Sequence, residues 1–127
     1  MPSTVTEQFI NAPVDRVYYA FTNATTLREW LCDLATVMPR PGGRIYLYWN
    51  AGFYVAGEFL SLEKDKSLKF KWVGKDEPGP SQVQVIFEST NDGTNVKVTH
   101  TVPEGPQRGS LLDGFQEEWG VGLKNLA

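Results

Sequence analysis

Two stretches near the end of the sequence decide the fold: residues 95–102, NVKVTHTV, and residues 110–126, SLLDGFQEEWGVGLKNL. In the first, apolar and polar residues alternate, and this period of two is typical of a strand with one buried face. The predicted buried face consists of Val96, Val98, His100 and Val102. In the second, apolar residues recur at intervals of three and four, which predicts an amphipathic helix. Its apolar stripe consists of Leu112, Phe115, Trp119, Gly122 and Leu126.

The same alternation occurs several times before this strand, between turns rich in glycine, proline and asparagine. The predicted inward residues are Ile45, Leu47 and Trp49, then Leu68, Phe70 and Trp72, then Val83, Val85 and Phe87. Two more strands are predicted, from Leu34 to Met38 and from Phe53 to Leu62. Such a succession indicates an antiparallel meander with one polar face and one apolar face that needs a cover.

The beginning of the chain predicts one strand and two short helices. The strand runs from Val5 to Ile10, and Pro13 then takes the first helical position, where its missing N–H is not needed. The second helix is predicted to open at Thr26, which would form a capping box with Glu29. The order of strand, two helices, five or six strands and a final helix predicts an α+β fold whose last helix covers the sheet.

Composition excludes several classes of protein. The chain has 127 residues, and 12 basic against 15 acidic side chains give a net charge of −3, which disfavours a nucleic-acid surface. One cysteine and one histidine make neither an internal disulfide nor a histidine-rich metal site, so we expect no metal and no cofactor. No apolar run approaches the ~20 residues of a membrane helix, and the N-terminus lacks a signal-peptide pattern, which predicts a cytoplasmic protein.

Short motifs in a fixed order carry a resemblance to a known family. They are Ile10-Asn11-Ala12-Pro13, Leu27-Arg28-Glu29-Trp30-Leu31, Pro39-Arg40-Pro41-Gly42-Gly43, Gly57-Glu58-Phe59, Leu68-Lys69-Phe70-Lys71-Trp72, Val98-Thr99-His100 and Trp119-Gly120-Val121-Gly122-Leu123. With them the chain resembles START-like (SRPBCC) helix-grip domains, and among these the branch named after the activator of heat shock protein 90 ATPase. The resemblance implies a curved antiparallel sheet wrapped around a long C-terminal helix. It also implies a cavity between them for lipids or other hydrophobic small molecules.

The resemblance extends over nearly the whole chain, so we expect a single START-like domain of residues 1–127. The last helix ends about two turns earlier than the helix of this family normally does. This predicts an incompletely closed cavity and a domain cut from a longer protein. Gly114, Gly120 and Gly122 in this helix either leave volume open or bring its backbone close to the sheet.

We expect ten side chains to line that cavity. They are Trp30, Tyr46, Tyr48, Trp49, Phe70, Trp72, Phe87, His100, Phe115 and Trp119. Large aromatic side chains with one or two polar groups to orient a ligand are typical of a small-molecule site. The alternative is that they fill the core at close-packed density and leave no cavity.

His100 and Cys32 are the side chains with the most chemistry to offer. His100 either binds a polar group of a ligand and transfers protons, or only bonds a buried carbonyl or tyrosine hydroxyl, and we favour the structural role. Cys32 would need to meet His100 to act as a nucleophile, and a buried inert thiol is the favoured interpretation. Glu58, Glu117 and Glu118 are expected to face solvent.

Three functions remain open. The favoured one is non-enzymatic binding of a hydrophobic or aromatic small molecule, oriented by His100 and by Tyr46 or Tyr48. The second is a protein–protein module that acts on heat shock protein 90 through a sheet edge or the loops. The third is a cyclase or hydratase of polyketide-like substrates, which requires an acid beside His100.

Overall fold

The computed structural model describes residues 3–75, 77, 80–102 and 108–126, and for residues 108–113 it describes the backbone alone. The strands are β1 (Ser3–Ile10), β2 (Leu34–Val37), β3 (Arg44–Tyr48), β4 (Tyr54–Glu63), β5 (Ser67–Gly74), β6 (Ser81–Ser89) and β7 (Thr94–Thr101). The helices are α1 (Val14–Thr22), α2 (Ala24–Trp30) and α3 (Arg108–Leu126). Both helices predicted near the N-terminus and the predicted final helix are therefore present, in the predicted order.

These strands form one antiparallel sheet in the order β1-β7-β6-β5-β4-β3-β2. β1 pairs with β7, while β2 to β7 follow one another as the predicted meander. A register shift between Phe59 and Ser61 marks a bulge in β4, a feature that increases bending and twist. The sheet is curved and open, and α3 packs against it, which confirms the α+β helix-grip architecture.

The register places the inward residues of four neighbouring strands in one row across the sheet. Phe59 lies opposite Phe70, Phe70 opposite Val83, and Val83 opposite His100. All four side chains are buried, and His100 is completely so. The inward orientation predicted for His100 from its alternation with valines is therefore confirmed.

Two details at the starts of the first helices differ from the prediction. Pro13 is extended and precedes α1 instead of being its first helical residue. α2 is capped by Asn23, whose side chain accepts a hydrogen bond from the Thr26 backbone N–H at 3.2 Å, so the predicted capping box with Glu29 is wrong. The Thr26 hydroxyl instead donates to backbone carbonyls, including that of Asn23 at 2.9 Å. Asparagine is at least as good a cap as threonine.

One end of the inner face is covered by α1 and is filled with side chains. Phe21 contacts Phe87 of β6 edge-on, with ring centroids 5.3 Å apart, and Trp30 at 4.7 Å. The ring of Tyr18 also contacts Phe87 edge-on, with ring centroids 5.5 Å apart. Close-packed aromatic contacts of this kind leave no room for a ligand.

The other end is covered by α3, which contacts β1, β7 and α2. Phe115, Trp119 and Leu123 are its buried large side chains among those described, and they follow the predicted stripe. The Leu112 side chain of that stripe lies outside the described residues. Trp72 of β5 meets Phe115 and Trp119 with ring centroids 5.5 and 5.9 Å apart, which joins α3 to the middle of the sheet.

Candidate functional site

A cleft of about 430 Å³ opens where α2, β5 and the C-terminal half of α3 meet. We call it the tryptophan cleft, after the four tryptophans that line it: Trp30 of α2, Trp49 after β3, Trp72 of β5 and Trp119 of α3. The remaining lining residues are Leu31, Gly114, Glu117, Glu118, Val121, Gly122 and Asn125. Trp30, Trp72 and Trp119 are buried and present little of their rings to the cleft, Trp49 is half-buried, and most of the polar lining groups lie on α3.

Each of the four indole N–H groups is already hydrogen-bonded within the protein. Trp30 donates to the Ala20 carbonyl at 3.0 Å, Trp49 to the Leu31 carbonyl at 2.8 Å, Trp72 to the Glu77 carboxylate at 3.0 Å, and Trp119 to His100 Nδ1 at 3.1 Å. An indole has no second donor. The tryptophans consequently offer the cleft aromatic surface alone, and its polar character comes from other side chains.

His100 adjoins the cleft behind Trp72 and Trp119, and its ring stacks on Phe115 with centroids 3.7 Å apart. Because Trp119 can only donate, Nδ1 of His100 is the acceptor, and Nε2 carries the proton and donates to Ser81 Oγ at 2.7 Å. The Ser81 hydroxyl donates in turn to the Trp72 carbonyl at 3.5 Å. Burial lowers the pKa of His100 to about 3, so the ring is neutral near physiological pH.

Both ring nitrogens of His100 are thus occupied, by a tryptophan and a serine instead of the expected carbonyl or tyrosine hydroxyl. Neither partner is an acid. A cyclase-like function requires an acid within hydrogen-bond reach of His100, and the described residues bring none there. The hydrogen bonds of His100 join α3 to β7 and β6, which is a structural role.

Of the ten residues predicted to line a cavity, the four tryptophans line this cleft. Phe70, Phe87, His100 and Phe115 are packed inside the protein and do not contribute to its lining. Tyr46 and Tyr48 lie on the outer face of β3, because Ile45 and Leu47 occupy the inner one. Tyr46 stacks there on Tyr54, so neither tyrosine can orient a ligand in the cleft.

Cys32 and His100 do not form a nucleophile–base pair. The Cys32 thiol is buried and donates to the Leu34 carbonyl at 3.3 Å. Burial is the main cause that raises the pKa of this thiol to about 11, which disfavours the reactive thiolate. Glu58 is exposed on the outer face of β4, as its alternation with Phe59 predicted.

Three acidic side chains at the cleft were not predicted to belong to a site. Glu117 and Glu118 are exposed, as expected, and both also line the cleft. Glu77 accepts the Trp72 N–H beside it. Burial raises the pKa of Glu118, and the neighbouring Glu117 charge raises it a little further. The pKa of Glu77 is also raised, mainly by burial and then by the Glu118 charge, although the hydrogen bond from Trp72 lowers it.

A sequence signal for these residues exists in the spacing along α3. Gly114, Glu118 and Gly122 are four residues apart, and so are Glu117, Val121 and Asn125. Residues at this spacing form neighbouring rows on a helix. Both rows line the cleft, and they lie side by side on one side of the buried Phe115, Trp119 and Leu123.

The part of the chain that the structure describes contains no group of three or more histidine, cysteine or acidic residues arranged to hold a metal ion. None of its helices has the length and apolar character needed to cross a membrane.

The sequence profile of the family described as "Activator of Hsp90 ATPase homolog 1-like protein" matches residues 11–127. The chain belongs to this family. No curated protein matches the chain by sequence. The family identity agrees with the resemblance drawn from the motifs, which began at Ile10 and ended in the last helix.

Solved structures of the same fold come from several bacteria. MLL2253 from Mesorhizobium loti has a TM-score of 0.88 at 22% identity, covering 98% of this chain and 93% of its own. The Aha1 dimer from Colwellia psychrerythraea has a TM-score of 0.85 at 19% identity, covering 99% and 93%. CalU16 from Micromonospora echinospora has a TM-score of 0.82 at 26% identity, covering 98% and 71%. These similarities establish the helix-grip fold.

Proposed function

We propose that this domain binds a hydrophobic or aromatic small molecule in the tryptophan cleft, without catalysing its conversion. The observation that carries the proposal is the meeting of four tryptophans, from α2, α3, β5 and the segment after β3, at one opening of about 430 Å³. Catalysis has no support here, because the one histidine is fully engaged in structural hydrogen bonds.

Affinity would come mainly from removing apolar surface from water, at about 25 cal/mol per Å². The tryptophan donors are already satisfied, so an apolar ligand would leave none of them without a partner. Burying a polar group without its partner is what penalises many apolar ligands in polar pockets. The tryptophan cleft avoids this cost over its aromatic surface.

Gly114 of α3 is consistent with the same function. It is exposed and lines the cleft, and a Cβ atom added there would meet no other atom within 4 Å. Glycine in a helix interior costs roughly 1 kcal/mol relative to alanine. Without a side chain at this position, the mouth of the cleft stays open.

The test is titration of the native protein with N-phenyl-1-naphthylamine, an uncharged fluorescent probe of apolar sites. We expect saturable binding of one probe per chain, and loss of at least about tenfold in affinity in Gly114→Leu, whose side chain would occupy the cleft. Gly120→Leu is the matched control, since a Cβ there also meets nothing and Gly120 does not line the cleft. Probe binding that appears only in partly unfolded protein contradicts the proposal.

A second candidate is a protein–protein module acting on heat shock protein 90. The family identity favours it, together with an open sheet edge at β2, where Leu34 is exposed. The ATPase rate of heat shock protein 90 from the same organism should then rise in the presence of this domain. Leu34→Arg should remove the effect, whereas Gly114→Leu should not. An unchanged ATPase rate with the native domain rules this candidate out.

A further inference from the structure

The strand β2 forms one edge of the sheet and carries little of the protection that is usual at an edge. Its four residues include no charged residue, no proline and no bulge, which are devices that keep an edge strand from pairing with another chain. All four are exposed or half-buried, whereas each of the other strands has at least one buried residue. β1, at the opposite edge, carries the charged Glu7. The edge at β2 is therefore the one suited to further pairing.

The hydrogen bonds to β3 show which backbone groups of β2 point away from the sheet. Just after the strand, the Met38 N–H donates to the Arg44 carbonyl of β3 at 2.8 Å. Bonded and non-bonded positions alternate along an antiparallel pair. Thr36 therefore turns its N–H and C=O towards β3, as Met38 does, while Ala35 and Val37 turn theirs towards the open edge. This edge offers two donors and two acceptors on extended backbone.

We propose that β2 pairs antiparallel with β2 of a second copy of this chain, so that a two-fold axis joins the two sheets into one. In the register that uses the outward groups of both copies, Thr36 lies opposite Thr36 of the second copy. Ala35 then lies opposite Val37 of the second copy, and Leu34 opposite its Met38. The two Ala35–Val37 pairs exchange four backbone hydrogen bonds, and each contact occurs twice, as a two-fold interface requires.

The neighbouring registers are worse for definite reasons. A shift that changes the parity would place outer side chains opposite inner ones. The next register in one direction sets Ala35 opposite Pro39, which has no N–H to donate. The next in the other direction sets Val37 opposite Asp33, whose N–H already donates to the Tyr48 carbonyl at 2.9 Å. The backbone thus selects a single alignment of the two copies.

The side chains match in the same alignment. On the outer face Leu34 is 51% exposed and Met38 is 42% exposed, and the pairing brings the two together. On the inner face Ala35 and Val37 are half-buried against the core, and their counterparts in the second copy would cover them further. Exposed apolar side chains at this edge therefore gain a partner on both faces.

Charge also favours a second copy as the occupant. Asp33 precedes β2 and Arg40 follows it, and both are exposed. Antiparallel pairing brings the start of one strand to the end of the other, so the acid of each copy lies near the base of its partner. A strand of another protein would have to carry the same pattern by chance.

Sedimentation equilibrium of the native chain, from about 10 to about 500 μM, tests the pairing. Because β2 has only four residues, the interface is small, and we expect a dissociation constant on the order of 100 μM. The average mass should rise with concentration towards twice that of one chain. A mass that stays at one chain over the whole range overturns the proposal and leaves the edge to a strand of another protein.

Thr36 supplies the sharpest variants, because it is exposed and faces itself across the axis. Thr36→Lys and Thr36→Glu should each weaken the dimer at least about threefold, since like charges meet, and an equimolar mixture of the two should restore it. Ala35→Pro removes an N–H that the dimer uses and β3 does not, so it should weaken association at least about tenfold. Gln82→Lys, at an exposed position of β6, is the matched control and should change nothing.

The thermal midpoint of each variant, measured first, establishes that it folds. A dimer that survives Ala35→Pro and both Thr36 substitutions uses another surface, which overturns the proposal. So does a dimer that Gln82→Lys weakens as much as Thr36→Lys, since the effect would then reflect net charge. This inference is independent of ligand binding, because neither Ala35 nor Thr36 lines the tryptophan cleft. The probe titration should be the same for these variants as for the native chain.

Discussion

The two ends of the inner sheet face use similar aromatic residues and reach opposite results. At the α1 end, Phe21, Phe87 and Tyr18 interlock edge-to-face and fill the space. At the α3 end, Trp72 and Trp119 meet with rings tilted, around a buried His100, and a cleft remains beside them. Aromatic content alone therefore does not predict a cavity.

The difference lies in the helix that faces the sheet. The residues that α1 turns towards the core are Val17, Ala20 and Phe21, and all three are buried. α3 presents glycines and acidic side chains beside its buried stripe, and neither kind of residue can fill an apolar space. In this protein, a helix that packs through one row of residues and leaves the neighbouring row open creates a cleft.

The largest effect should come from the filled end. Phe21→Ala removes a buried ring from a cluster that cannot collapse, so we expect a loss of about 3–5 kcal/mol in the free energy of unfolding, measured by urea denaturation. Tyr19→Ala on the same helix is the control, since Tyr19 is exposed and should change stability little. A loss for Phe21→Ala no larger than for Tyr19→Ala would mean that the α1 end is not closely packed.

The next largest effect concerns His100 and pH. Its pKa is about 3 in the folded protein and near 6.5 in the unfolded chain, so below pH 6.5 the unfolded chain binds a proton that the folded protein does not. The free energy of unfolding should then fall by about 1.4 kcal/mol per pH unit as the pH drops from about 6.5 towards 3, and be unaffected by this group above 6.5.

His100→Gln isolates that contribution, because the slope between pH 6.5 and 5 should be smaller in the variant by this amount. An independent measurement needs no variant. The chain has one histidine, so its NMR ring signals are unambiguous and should not titrate between pH 7 and 5 in the native protein. A midpoint near 6.5 would show that the ring is open to water.

A smaller loss is expected from Ser81→Ala. The Nε2–H of His100 would lose its acceptor, and the ring cannot exchange tautomers because Trp119 requires Nδ1 as an acceptor. The cost should be about 1.5 kcal/mol in unfolding free energy. Ser89→Ala, at an exposed position of the same strand, should be neutral. Equal effects of the two substitutions would contradict the assigned hydrogen bonds.

The smallest effect should be a gain. Gly120→Ala places a methyl group where nothing lies within 4 Å, so the helix should be stabilised by about 0.5–1 kcal/mol without any change in probe affinity. Thermal unfolding and the naphthylamine titration measure the two quantities. A drop in probe affinity would mean that the cleft extends to this side of α3.

Local patterns predicted the fold because each strand has a clear inner face. The valines of β7 identified the orientation of His100. The same alternation in β3 already placed Tyr46 on the other face of the sheet from Ile45. The expectation that Tyr46 and Tyr48 orient a ligand therefore went against the parity of their own strand. Asn23 was overlooked as a cap because Thr26 with Glu29 satisfies the same local pattern, and only three-dimensional contacts distinguish them.

The site was harder to predict than the fold. Periodicity separates the buried row of α3 from the rest, but it does not distinguish a row facing bulk water from one that borders a cleft. Glu118 belongs to the second kind, and its position depends on where Trp30 and Trp49 arrive from distant parts of the chain. Periodicity also does not show that the tryptophan N–H groups are already used, as those of Trp72 and Trp119 are by Glu77 and His100.

The hydrogen bonds from Trp119 through His100 and Ser81 to Trp72 have a mechanical consequence. These bonds fix the rotation of α3 about its axis, because turning or sliding the helix by one residue would leave a buried donor and a buried acceptor without partners. Trp72 and Trp119 should therefore keep the same separation with and without a ligand. A rigid ligand would then cause little reorganisation, and the free and bound structures should superimpose closely.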